Sequence, residues 1–293
     1  MANLKEVKSR IQSVNSTKQI TKAMKMVAAA KLRRAQDRIL QMRPYAQKLS
    51  EIVSNVSSGQ TEDIENPYSE VREAENILLV VISSDRGLCG AFNSNIFKYT
   101  RSLISNNYAE AESLGNLHIL PIGKKSYEFF RKRSYNVMEG YAHLLEKLNF
   151  DGSGKAAEMI MEKFEKKTYD RVEIIFNEFK NVATQIIKNE QFLPVSNITQ
   201  GAGDTEADYI FEPSKDFIFN DLLPKSLKIQ FYRALLESNA SEHGARMTAM
   251  DKATENADEL LKDLRLTYNR TRQAAITKEI LEIVGGAEAL VQG

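Results

Sequence analysis

The residues able to do chemistry are few, and their spacing does not assemble a reactive set. Gly123-Lys124 resembles the end of a phosphate-binding loop, where backbone amides and a lysine cradle phosphates. His118 stands where the first glycine of that loop belongs, and Lys125 stands where a Ser or Thr would reach magnesium. The turn Ser84-Asp85-Arg86-Gly87-Leu88-Cys89-Gly90 lacks the third glycine of a dinucleotide fingerprint, so it reads as a tight strand-to-helix turn. His118, His143 and His243 lie far apart with no second ligand at metal spacing. Cys89 has no histidine-centred partner motif, although its turn is expected to be exposed. Acidic residues are plentiful, yet none are spaced for paired acid–base work. By elimination the chain reads as noncatalytic and free of cofactor or metal, and a nucleotide-binding α/β enzyme is the alternative.

Composition narrows the setting. The chain has 293 residues, 42% of them hydrophobic, with no Trp and six Pro, which suits a helix-rich protein with a sizeable core. Its net charge of +1 gives no global field for nucleic acid or membrane. The charge is unevenly spread, however. Residues 1–43 hold eleven Lys and Arg against Glu6 and Asp37, a local excess of about +9. Three readings of that basic segment stand side by side: a solvated face, a nucleic-acid adaptor, or a surface that docks on an acidic protein. No aromatic residues interleave the charges, which speaks against nucleic acid, and the last reading fits best with a polar interruption in the helix's apolar seam. A single cysteine rules out an internal disulfide and suits a reducing compartment. No signal peptide and no run of 18 apolar residues is seen, so a chain that neither spans a membrane nor is exported is expected.

The positioning elements are two long helices around an alternating middle. Residues 4–56 read as one helix, with apolar residues at Leu4, Val7, Ile11 and Val14 and then at Ala28, Leu32, Ala35, Ile39, Met42, Ala46, Leu49, Val53 and Val56. These steps of three and four make a coiled-coil seam. Between the two stretches the register meets Lys18, Thr21 and Lys25, while Ile20, Ala23, Met24 and Val27 lie off it. Residues 18–27 are therefore expected to face a different partner. Pro44 lies off the seam and should bend the helix without ending it, and Ser57-Ser58-Gly59 should stop it.

The middle, residues 76–212, reads as an open Rossmann-like α/β sheet. Strands are expected at 77–82, 117–122, 172–179 and 185–193, and helices at 94–105, 124–133 and 153–167. A flexible return is expected at 201–213, with strand-like Tyr209-Ile210-Phe211 closing the sheet. A second long helix follows, within 217–290. Its regular part, from about 225 to 284, would be on the order of 90 Å long. Its seam runs through Leu236, Ala240, His243, Met247, Met250, Thr254, Ala257, Leu261, Leu264 and Tyr268. A lone polar residue such as His243 in a seam commonly sets register. The two helices, 1–59 and 217–290, should pair antiparallel, the longer one projecting past its mate.

Several stretches resemble one family closely. Asn15-Ser16-Thr17-Lys18-Gln19-Ile20-Thr21-Lys22-Ala23-Met24-Lys25-Met26-Val27-Ala28-Ala29 is similar to the N-terminal signature of the gamma subunit of F-type ATP synthase, bacterial type. So are the Ser84–Gly90 turn with Asn93, and Tyr268-Asn269-Arg270-Thr271-Arg272-Gln273-Ala274-Ala275-Ile276-Thr277-Lys278-Glu279-Ile280 with Ile283-Val284 and Gly286-Ala287. The resemblance implies a central rotor shaft that couples c-ring rotation to conformational cycling of the catalytic beta subunits. Its implied partners are the alpha and beta subunits of the catalytic hexamer, the epsilon subunit and the c-ring, with no nucleic acid and no membrane span of its own. It further implies ring contacts at Met24, Lys25, Lys31, Arg33, Arg34, Arg86, Cys89, Arg272, Gln273, Thr277, Glu279 and Glu282. The plant chloroplast form carries a dithiol insertion that this chain lacks. With no transit peptide read, the implied home is the cytoplasmic face of a bacterial plasma membrane, as a peripheral subunit.

Overall fold

The computed structural model describes residues 4–58, 67–182, 184–195 and 215–291. Its elements are α1 (Leu4–Ser58), β1 (Ile77–Ile82), α2 (Phe92–Asn107), α3 (Ala109–Ser113), β2 (Leu117–Ile122), α4 (Lys124–Arg131), β3 (Asn136–Val137), α5 (Phe150–Glu165), β4 (Arg171–Phe179), β5 (Gln185–Leu193) and α6 (Lys215–Val291). The chain divides into two compact units, Met1–Val27 with Met247–Gly293, and Ala28–Arg246. Helices α1 and α6 each contribute to both.

Unit Ala28–Arg246 is built on a five-stranded sheet in the order β3-β2-β1-β4-β5. β1 pairs in parallel with β2 and β4, β3 is parallel to β2, and β5 runs antiparallel to β4. The run Ile-Leu-Leu-Val-Val-Ile takes the centre because all six side chains can be buried on both faces, none more than 1% exposed. Alternation then separates two cores. Leu78, Val80 and Ile82 join Ile174, Phe176, α5 residues Ile160 and Phe164, and α6 residues Phe231 and Leu235 on one face. Ile77, Leu79 and Val81 join α2 residues Ile96, Phe97 and Ile104 and α4 residue Phe130 on the other. α2 is amphipathic at the helical period, burying Phe92, Ile96, Phe97, Thr100 and Ile104. α5 is started by Asn149, whose Oδ1 accepts from Gly152 N at 2.8 Å. In this unit α1 packs on α6 through Leu32, Ala35 and Ile39 against Leu236 and Ala240.

Unit Met1–Val27 with Met247–Gly293 is a helix pair. Lys18 bonds Asp258, Thr21 bonds Thr254 at 2.8 Å, and Lys25 bonds Asp251 at 2.5 Å. The numbers rise along α1 as they fall along α6, so the helices are antiparallel, as the seams require. Val7 on one side and Ala257 and Leu261 on the other are buried.

The structure corrects several boundaries. α1 continues through Pro44 and is described as far as Ser58, within the expected stop, whose Gly59 lies outside the described residues. α6 already runs at Lys215, two residues before 217, and passes through Pro224, so the helix is regular well ahead of the expected start near 225. A proline removes one i→i−4 bond, and buried Leu223 and Leu227 hold the helix on either side of it. Gly285 and Gly286 are also helical. α3 and two-residue β3 were not read from the sequence, being too short for a periodic signal. The return at 201–213 and the expected strand at Tyr209–Phe211 lie outside the described residues.

Candidate functional site

The turn after β1 is a stapled knuckle. Ser84 N donates to Asn93 Oδ1 at 3.0 Å, Ser84 Oγ donates to the Arg86 carbonyl at 2.7 Å, and Asn93 Nδ2 reaches Cys89 Sγ at 3.3 Å. This turns Cys89 inward, to 1% exposure, against the expectation of an exposed thiol. Leu88 is pushed out instead, 66% exposed at φ 65°, a backbone region costly for a side-chain-bearing residue. Burial pushes the Cys89 thiol pKa up, which outweighs the Ser84 hydrogen bond and the nearby Arg246 charge. Cys89 is therefore expected to react with maleimide about a hundredfold more slowly than a free thiol at pH 8, and at full rate in denaturant, as a timed labelling assay will read.

The knuckle is held from α6. Arg246 donates to the carbonyls of Gly87 and Arg86, the latter at 3.2 Å, and pairs with Glu242 at 2.6 Å. Glu242 is 8% exposed, and burial raises its carboxyl pKa in spite of Arg246. Nearby, the Phe179 amide donates to Glu237 Oε2 at 3.0 Å. Between these two holds sits Gly244. A Cβ there would lie 3.3 Å from Phe179 Cε2 and 3.6 Å from Val182 Cα, so helix α6 seats closely on the end of β4.

These contacts fall at a meaningful place. With β2 and β3 on one side of β1 and β4 and β5 on the other, the strand order reverses between β1 and β4. Doubly wound sheets bind ligands outside the carboxyl ends of the strands at such a reversal. Here the loops after β1 and β4 clasp α6 in that position. The neighbouring N-terminus of α4 is likewise taken: Lys124 N donates to Asp85 Oδ1 at 3.1 Å and Ser126 N to Ser83 Oγ at 2.8 Å. Gly123 adopts φ 97°, and a Cβ on it would lie 2.4 Å from the Ser83 carbonyl oxygen. Gly123-Lys124 is thus a close-packed strand-to-helix turn whose first amides are spent on side chains of this chain. Among the described residues, no group of three or more His, Cys, Asp or Glu could hold a metal.

The expected contact residues fall into two sets. In unit Ala28–Arg246, Lys31, Arg33, Arg34 and Arg86 are exposed, and none makes a salt bridge among the described residues. Lys31 lies close enough to Glu242 and His243 for its charge to act on both. Arg33 borders a groove of about 620 Å³ shared with Leu40, Arg43, Lys180 and Glu237. In the other unit, Met24 is half-buried and Lys25 pairs with Asp251, while Arg272, Gln273, Thr277, Glu279 and Glu282 are exposed. The polar gap at Lys18, Thr21 and Lys25 therefore does not face a different partner. It faces α6, which supplies Asp258, Thr254 and Asp251 at matching spacing. Only the off-seam residues point away, with Ile20 60% and Val27 57% exposed. Between residues 273 and 287 the side chains of α6 are exposed apart from half-buried Ala275, and Ile276, Ile280, Leu281, Ile283 and Val284 are 48–70% exposed.

A family model described as ATP synthase matches residues 3–290. The ATP synthase gamma chain of Cytophaga hutchinsonii is 58% identical over 293 residues, covering 99% of each chain. That of Amoebophilus asiaticus is 52% identical over the full length of both. This chain belongs to the ATP synthase gamma-chain family. Solved structures agree in fold. A chain of the Euglena gracilis mitochondrial ATP synthase OSCP/F1/c-ring structure superposes with a TM-score of 0.69 at 22% identity, over 98% of this chain and 94% of that one. A chain of the Tetrahymena thermophila mitochondrial ATP synthase central stalk and c-ring gives 0.56 at 27% identity, over 80% and 99%.

For a gamma-chain family member the clasp of Arg246, Glu242 and Gly244 on the sheet is the feature that sequence reading passed over. Its signal was present as an acid and a base four residues apart, Glu242 and Arg246, next to the only glycine between 224 and 285. The spacing could not say that both would be buried. No helix among the described residues is long and apolar enough to cross a membrane.

Proposed function

We propose that this chain is the central shaft of a proton-translocating rotary ATP synthase, turned by the c-ring and bearing on the catalytic alpha–beta hexamer, with the epsilon subunit beside it. It acts as a noncatalytic coupler, bound peripherally at the cytoplasmic face of a bacterial plasma membrane. The observation that carries this reading is the end of α6. There a run of apolar residues from Ile276 to Val284 stands exposed on a helix whose antiparallel pairings with α1 are spent further back, at Asp251, Thr254 and Asp258. Exposed Ile and Leu in such density on a helix ask for an apolar sleeve from another chain. A greasy bearing with few polar anchors, here Arg272, Gln273, Thr277, Glu279 and Glu282, holds a helix on axis without trapping it at one angle. A shaft biases three conformations of identical subunits only through its differential affinity for each. That requires side chains displayed asymmetrically, as Lys31, Arg33, Arg34 and Arg86 are. An image of the purified assembly tests the reading: this chain should lie on the axis of a hexameric ring with residues 272–287 inside it, and a peripheral position would refute it.

The cationic set carries its own expectation. Replacing Lys31, Arg33 and Arg34 together by Ala removes exposed charges that form no salt bridge among the described residues, so stability should change by less than about 1 kcal/mol. Coupling should fall more: ATP-driven proton pumping per ATP hydrolysed, measured in inverted vesicles, is expected to drop at least severalfold. Pumping at the wild-type ratio would remove these residues from the contact set.

A further inference from the structure

A groove of about 920 Å³ lies on the sheet face covered by α2 and α4, beginning beside the knuckle at Gly90 and Asn93 and running away from it along α2. Its wall is one stripe of α2, with Ser94, Lys98, Arg101 and Ser105 at helical spacing and Ser102 beside them. Its floor is the stacked pair Phe97 and Phe129, with ring centroids 4.3 Å apart. Arg133 closes the far side, its guanidinium 3.8 Å above the Phe129 ring and its Nη1 donating to the Phe129 carbonyl at 3.2 Å. Lys98, Arg101 and Arg133 are all exposed, and none forms a salt bridge among the described residues. α2 contains no acidic residue at all, and Glu112 is the one carboxylate lining the groove. An isolated protein surface normally mixes the two signs of charge, so three unpaired cations around an aromatic floor describe the complement of something negative and partly apolar.

We propose that this groove docks an acidic α-helix of a partner polypeptide. Its carboxylates would meet Lys98, Arg101 and Arg133, an apolar side chain would rest on Phe97 and Phe129, and its backbone would pass over Ser94, Ser102 and Ser105. A helix fits because the wall is itself a 16-residue helix whose small serines permit close approach of another. Arg133 is pre-positioned by its ring contact, so it loses little freedom on forming a planar pair with a carboxylate. A nucleic-acid backbone would meet Glu112 and too short a run of cations to track successive phosphates.

The test uses the full chain in the purified complex. Ser102→Cys carries a photoactivatable cross-linker, and buried Cys89 leaves the introduced thiol as this chain's labelling site. The adduct is expected on a carboxylate-rich helical stretch of another polypeptide, in a yield that falls with added salt as exposed charge pairs are screened. Adding Lys98→Glu and Arg101→Glu should lower that yield about tenfold, with circular dichroism unchanged, and the milder Lys98→Gln and Arg101→Gln pair should lower it less. Adducts confined to lipid, to nucleic acid or to this chain overturn the proposal, and so does a polypeptide adduct whose yield ignores both salt and charge reversal.

Discussion

Replacing Phe231 by Ala is expected to cost about 3–5 kcal/mol of stability, the range for emptying a fully buried aromatic site. Phe231 is 0% exposed and lies in the core that joins α6 to β1, β4 and α5, with its ring centroid 5.9 Å from that of Phe192. Helical propensity does not oppose the change, since Ala is the better helix former. The loss is therefore one of burial and packing alone. At roughly 2–4 °C per kcal/mol for a chain of this size, the melting transition should fall by about 6–20 °C. Thermal unfolding of the purified chain by circular dichroism reads it directly. A shift under about 2 °C would mean that α6 is not anchored to the sheet through this core. Because the same helix is clasped at Gly244 and Arg246, the loosened variant should also lose coupling in the assembled enzyme before it loses assembly.

Acidification should weaken the fold through His243. Its ring is nearly buried in the seam, its Nδ1 has no hydrogen-bond partner among the described residues, and Glu242 Oε1 stays 4.0 Å away. Burial lowers its pKa from 6.5 to about 4, and the charges of Lys31 from α1 and Arg246 from α6 act in the same direction. The folded chain thus holds a neutral imidazole that the unfolded chain protonates near pH 6.5. The stabilisation is complete above pH 6.5 and is lost as pH falls towards 4. Its size, from a difference of about 2.5 in pKa, is on the order of 3 kcal/mol. Glu242 titrates the other way: its raised pKa favours the fold at low pH, a contribution lost as pH rises through that value. Comparing the chain with a His243→Met variant separates the two, since Met keeps the seam apolar. Denaturant unfolding at pH 7.5 and pH 4 should show the variant losing about 3 kcal/mol less than the parent. Parallel losses would mean that His243 is already charged in the folded chain.

Much of the architecture could be read from residue spacing. The seam positions from Ala28 to Leu49 and from Leu236 to Leu261 are all buried or half-buried in the structure, although α6 is covered on every side from Leu236 as far as Asp251, where the sheet adds to the seam. The four longer strands lie where apolar runs placed them, within a residue. Three readings went astray for physical reasons. The gap at Lys18, Thr21 and Lys25 looked like a change of partner because each helix was read alone. Set against Asp258, Thr254 and Asp251, it is one polar segment of the same seam. The regular part of α6 was expected only from about 225 because propensity disfavours a proline such as Pro224 in a helix interior, and burial on both sides overrides that cost. Cys89 looked exposed because turns are usually solvated, whereas the hydrogen bonds of Ser84 and Asn93 fold this one inward.

The site divides along the same line. The residues proposed to contact other chains, from Lys31 to Glu282, were picked out by motif and charge, and the structure leaves most of them exposed. Those that act by being buried beside a particular loop, Glu242, Gly244 and Arg246, depended on the strand-order reversal between β1 and β4, which no local pattern announces.

The shaft reading is tested most directly by watching the chain turn. Leu114→Cys, 67% exposed on the α/β unit, offers a site for a bead on a complex held down by its catalytic ring. During ATP hydrolysis the bead is predicted to rotate in one direction in three main steps per turn. A bead that stays fixed while the same molecules hydrolyse ATP would contradict the assignment of this chain as the shaft.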